Sequence, residues 1–124
     1  MVADDKPHYP CRVSLQDAVE GERLLLVPYL HHGVDTPYRA SGPIYVREAA
    51  VQARPTVGEV PALLRSRLLS LRGYDARGMM AWADVVPGGD VESGIAALFA
   101  IERVAYLHLH YAKPGCYACR VVRA

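Results

Sequence analysis

Residues 104–120, VAYLHLHYAKPGCYACR, carry two histidines, two cysteines and three tyrosines. Imidazole, thiol and phenol are groups that bind metal ions, attack electrophilic carbon and move protons. Tyr106, His108 and His110 alternate with Leu107, Leu109 and Tyr111. That period of two is the period of a strand, so the histidines share one face and the leucines the other. Histidines two apart on a strand have Cα atoms about 7 Å apart, and both rings can reach one ion. A catalytic zinc takes a third protein ligand and keeps a position open. Cys11, His31, His32, Cys116 and Cys119 are the candidates for that third ligand.

The turn after Tyr111 decides which cysteine stands beside the histidines. A four-residue loop over 112–115 puts Tyr117, Cys119 and Val121 on the histidine face, whereas a three-residue loop over 113–115 puts Cys116 there. Cys116-Tyr-Ala-Cys119 has the spacing of a redox or zinc-knuckle pair. In an extended strand, however, its Cα atoms lie about 10 Å apart, beyond the roughly 7 Å reach of a disulfide. A cysteine nucleophile activated by His110 is chemically sound, because imidazole favours the attacking thiolate. The plainer reading makes the histidines half-exposed sheet residues and the cysteines small apolar fillers.

A second set of groups comes from the stretch 31–43, rich in glycine and proline and read as a long loop. Tyr38, Arg39 and Ser41 offer an aromatic platform, a cation and a hydroxyl, and Arg47 follows on the next strand. Tyr38, Ser41 and Arg47 suit a small carboxylate or phosphate.

Several elements must position these groups. Residues 1–9 read as irregular, and 11–15 as extended. Residues 22–31 read as a strand whose apolar centre, 24–27, fits cover on both faces, with Pro28 ending or bulging its ladder. Residues 44–50 read as another strand. Pro61 suits a first helical turn, and Val60, Leu63, Leu64, Leu68 and Leu71 form one stripe that Gly73 can stop; residues 68–74 fit a strand equally well. Residues 79–86 alternate as a strand, and Asp90 caps a second helix that turns Val91, Ile95, Leu98 and Phe99 inward. Strands over 104–111 and 116–122 complete the chain. The expected fold is α+β, a mainly antiparallel sheet of about five to seven strands with two helices packed on one face.

The 124 residues fit one domain over 1–124, and an apolar fraction of 52% is ample for a core. Part of that surplus points to a partner, most simply a second copy in a homodimer or other homo-oligomer. Fourteen basic and thirteen acidic side chains nearly cancel, which sets aside nucleic acid and anionic membranes as partners. Twelve of the basic residues are arginine. No signal-like N-terminus and no run near 20 apolar residues is visible, and three cysteines make an odd count. These features fit a cytoplasmic protein in a reducing compartment.

The stretches YPCRVSLQDA, GERLLLVPYLHH, DTPYRASGPIYVREAA, LLSLRGYDARGMM and YLHLHYAKPGCYACRV resemble, in order, the bacterial family known as domain of unknown function 1203. The resemblance spans nearly the whole chain and implies no established activity, cofactor or catalytic residue. Cys11, Pro37, Tyr38, Ser41, Gly42, Arg47, Gly115 and Cys116 fit its motifs. Cys119 stands where the family has a small residue, which favours Cys116 as the functional thiol. Family members usually carry a further N-terminal segment.

Three functions follow. The first is a small-molecule enzyme or ligand-binding protein, with Tyr38, Ser41 and Arg47 holding a small anionic metabolite and His108, His110 and Cys116 as catalytic groups. The second is a non-catalytic homodimeric interaction module. The third is a metalloprotein using His108 and His110. The residues name no reaction and no cofactor.

Overall fold

The structure, a computed structural model, describes residues 1–4 and 9–124, so part of the irregular start expected over 1–9 lies outside the described residues. Along the chain run β1 (Leu24–His32), β2 (Ala40–Arg47), α1 (Ala62–Arg65), β3 (Leu68–Tyr74), β4 (Met80–Pro87), α2 (Val91–Phe99), β5 (Tyr106–Tyr111) and β6 (Tyr117–Val122). The class is α+β with antiparallel pairing, as expected. The single sheet of five to seven strands is replaced by two: β1 and β2 form a hairpin of their own, and the other four strands are ordered β4-β3-β5-β6.

The stripe from Val60 to Leu71 does not make one helix. Its first part is the single turn α1, and the rest is β3, paired on one side with β4 and on the other with β5. As a central strand β3 satisfies its backbone from both neighbours, and its alternation puts Leu69 and Leu71, each 0% exposed, on the face that α2 covers. Tertiary pairing thus outweighs the helical spacing. Leu107 and Leu109 of β5 join them, with Val91 and Leu98 of α2 and Leu63 and Leu64 of α1. Two glycines permit the close fit. A Cβ on Gly88, before α2, would collide with the Leu64 carbonyl, and one on Gly94 would come within 2.8 Å of Leu71.

The opposite face of the large sheet meets the hairpin of β1 and β2. In β1 only the two ends, Leu24 and His32, are buried. Leu24 is buried, but Leu25 and Leu26 are 52% and 53% exposed, which corrects the reading of 24–27 as a doubly covered strand. Pro28 does not end the ladder, because it faces Pro43 where neither needs to donate; the irregularity falls later, between Tyr29 and His32. The loop after β1 is shorter than expected, since Ala40 already pairs with His32. Residues 11–15 form no strand; Pro10 and Cys11 make isolated bridges, to Asp17 and Tyr45.

Polar contacts fasten the segment 10–17, which bridges to β2 through Cys11 and Tyr45, against the large sheet. Arg12 and Arg67 both place their guanidinium groups 5.1 Å from the Tyr111 ring centre, Arg67 pairs with Asp17, and Arg12 Nε donates to the Tyr117 carbonyl at 2.8 Å. Among the described residues no helix is long and apolar enough to cross a membrane.

Candidate metal centre

Where the two sheets meet, β5 directs His108 and His110 from one face, 2% and 1% exposed. Their rings are 6.4 Å apart, centre to centre. The cross-strand neighbours on that face are Ser70, Arg72 and Tyr74 from β3, and Tyr117 and Arg120 from β6. From above, β1 contributes two consecutive histidines. Adjacent strand residues ordinarily face opposite ways. Here the irregularity between Tyr29 and His32 brings both rings to His108, at 6.2 Å for His31 and 4.9 Å for His32.

Hydrogen bonding separates the four imidazoles into two kinds. His32 is saturated: Nδ1 lies 2.8 Å from the Tyr38 carbonyl, which can only accept, so that nitrogen carries the hydrogen, and Nε2 accepts from the Tyr106 hydroxyl at 2.6 Å. His110 donates from Nδ1 to the Gly115 carbonyl at 3.0 Å, which leaves a lone pair on Nε2. That Nε2, together with Nδ1 of His31 and Nδ1 of His108, is buried and has no hydrogen-bond partner. A buried polar atom without a partner costs roughly 1–3 kcal/mol, and three in one place call for a reason.

One ring nitrogen from each of His31, His108 and His110 lies within 4.8 Å of those of the other two. Nitrogens bonded to a tetrahedral zinc ion sit about 3.3 Å apart, so ring adjustments of under about 1 Å would close the set on one ion. All three rings are held neutral. Burial, assisted by the neighbouring imidazoles and arginines, lowers His108 to about 3 and His110 to about 4, and lowers His31 as well. Neutral imidazole is the ligating form. The carbonyl of Gly115 supplies His110 with the kind of outer hydrogen bond that fixes a ligand's tautomer and aim. Gly115 itself has φ +80°, a backbone position that favours glycine. His31, the least buried of the three, lies flat against Tyr117 at 5.0 Å and marks the side nearest solvent.

The other candidate residues are placed elsewhere, apart from Tyr38, whose carbonyl orients His32 and whose ring meets Tyr74 edge-on at 6.2 Å. Ser41 is exposed on β2. Arg47 is locked to Glu22 at 2.8 Å, to Gln16 at 3.0 Å and to Ser14 at 3.3 Å. Cys11 is buried near Arg47, where its Sγ accepts from the backbone N–H groups of Ser14 and Arg47 at 3.4 Å. Burial raises the Cys11 pKa, but those hydrogen bonds outweigh it and the net shift is downward.

Neither hairpin cysteine joins the histidines. The loop does span 112–115, with Tyr111 N–H donating to the Cys116 carbonyl, and Tyr117 does stand opposite His110. A bulge then leaves Ala118 unpaired and sets Cys119 opposite Leu109, on the leucine side. Burial pushes the Cys119 thiol up to about 12. Cys116 lines a groove with Arg12, Tyr111 and Lys113. His31 stood among the candidate third ligands; Arg72, Tyr74 and Tyr106 carried no assigned role, and their only signal was alternation with Leu71, Gly73 and Leu107.

Fold and site together define an α+β protein with a buried three-histidine cluster between two antiparallel sheets. Residues 8–123 match the family described as Protein of unknown function (DUF1203), and the chain belongs to that family. No curated protein and no solved structure matches the chain.

Proposed function

We propose that this chain is a metal-binding protein whose centre is formed by His31, His108 and His110. The observation that carries the reading is that one ring nitrogen from each of His31, His108 and His110 lies within 4.8 Å of the other two, in a cluster where each ring also has a buried nitrogen without a hydrogen-bond partner. Neutral imidazoles suit zinc, iron, copper and nickel. Three protein ligands leave a tetrahedral ion one position for water or a substrate, the arrangement of catalytic rather than structural sites. A divalent ion there would polarise a bound oxygen or lower the pKa of a bound water. His32 and Tyr106, joined by their hydrogen bond, would brace His108 from the side.

Elemental analysis of the purified protein, followed by chelator treatment and titration with Zn²⁺, tests the reading. One equivalent of metal is expected in wild type, with binding lost in His108→Ala and His31→Ala and kept in Cys116→Ala. Equal uptake by wild type and both histidine variants would refute it.

A further inference from the structure

Three neutral imidazoles leave both charges of a divalent ion uncompensated. Among the described residues, the side chains that can close on an ion are three histidines and no carboxylate. The surroundings add positive charge rather than remove it. Arg72 stands directly across from His108 on β3, and Arg120 directly across from it on β6. Residues so paired share a face, with Cβ atoms about 5 Å apart.

The two arginines differ in how they are engaged. Arg120 is exposed and stacks over the Tyr106 ring at 4.5 Å. Arg72 is half-buried, lies near the Tyr74 phenol, and acts electrostatically on His31 and His110. None of the four ion pairs among the described residues includes it. An arginine that has no carboxylate partner among the described residues, beside an electron-poor metal position, is arranged for an oxyanion brought from outside. Aromatic rings surround the cluster: those of Tyr74 and Tyr106 stack at 5.5 Å, and Tyr117 meets His108 edge-on at 5.1 Å. Aromatic neighbours favour a ligand with a flat or apolar body over a bare inorganic ion.

We infer that the centre takes an organic carboxylate, one carboxylate oxygen entering the open metal position and Arg72 pairing with the group. This rests on the metal reading above, and it moves the anion-holding role from Arg47, which Glu22 already occupies, to Arg72.

Cobalt(II) substitution separates the two claims. The visible bands of the loaded protein report whether the ion is held, and that step alone judges the metal reading. Benzoate, benzamide and inorganic phosphate are then titrated into the loaded protein. Benzoate is expected to shift the bands and to bind at least about tenfold more tightly than either benzamide or phosphate. Arg72→Gln is expected to keep cobalt and weaken benzoate by about tenfold or more, and Arg72→Lys, which keeps charge but loses the fork, to fall between. A loaded protein that ignores benzoate, prefers phosphate, or binds benzoate equally well in Arg72→Gln and Arg72→Lys would overturn the carboxylate inference while leaving the metal reading intact. Failure to hold cobalt overturns both.

Discussion

The two faces of the four-stranded sheet come from the same strands and differ in nearly every other respect. Leu69, Leu71, Leu107 and Leu109 look toward α2 and are shut off from water with nothing left unpaired. At alternate positions of the same strands, Arg72, Tyr74, Tyr106, His108 and His110 look toward β1, where burial leaves ring nitrogens without partners. Both faces are packed. Only one carries buried ring nitrogens without partners, and that asymmetry separates the face that holds the fold from the face we propose as the metal site.

The contrast can be broken most forcefully from the leucine side. Leu109→Ala removes a side chain 1% exposed from the centre of the core and should cost about 2–5 kcal/mol, read from denaturant midpoints, while the folded fraction still takes up metal. Loss of metal uptake at full folding would mean that the faces are not separable.

Acid sharpens the contrast from the other side. His108 at about 3 and His110 at about 4 lie below the 6.5 of an exposed imidazole. Between those values the unfolded chain binds protons that the folded chain refuses, so stability present above pH 6.5 is lost as pH falls through this window. The metal-free protein should lose roughly 1 kcal/mol per pH unit for each histidine, and His108→Leu should flatten the slope. A slope identical in the variant would show that His108 is not the group responsible.

The smallest effect has the opposite sign. In the metal-free protein at pH 7, His108→Leu replaces an unpartnered imidazole with an apolar side chain and should raise the unfolding free energy by about 1 kcal/mol while abolishing metal uptake. A lower melting temperature in the metal-free variant would count against the idea that this face sacrifices stability.

What the residues disclosed depended on how local the cause was. The common face of His108 and His110 follows from alternation within six residues, whereas the loop stayed open between three residues and four until the pairing of Tyr111 with Cys116 settled it. His31 could be ranked only beside four other ligands, because β1 lies in a different sheet and nothing within its own sequence sets where that sheet docks. Leu68 to Tyr74 satisfied helical and strand spacing together, and pairing with β4 and β5 decided between them. The apolar run 24–27 pointed to cover on two faces, yet β1 sits at the rim with Leu25 and Leu26 outward. Arg47 carried an arginine's chemistry with no sign of the partner 25 residues earlier that occupies it.

The unpaired alanine in β6 has a chemical consequence. In simple register Cys119 would stand opposite His108 and present sulfur to the histidine cluster. Thiolate plus three imidazoles fills a tetrahedral shell, and an ion so enclosed serves as a rivet rather than a reagent. With the sulfur diverted into the hydrocarbon interior by a single inserted residue, an ion held as we propose would keep its fourth position for an incoming donor.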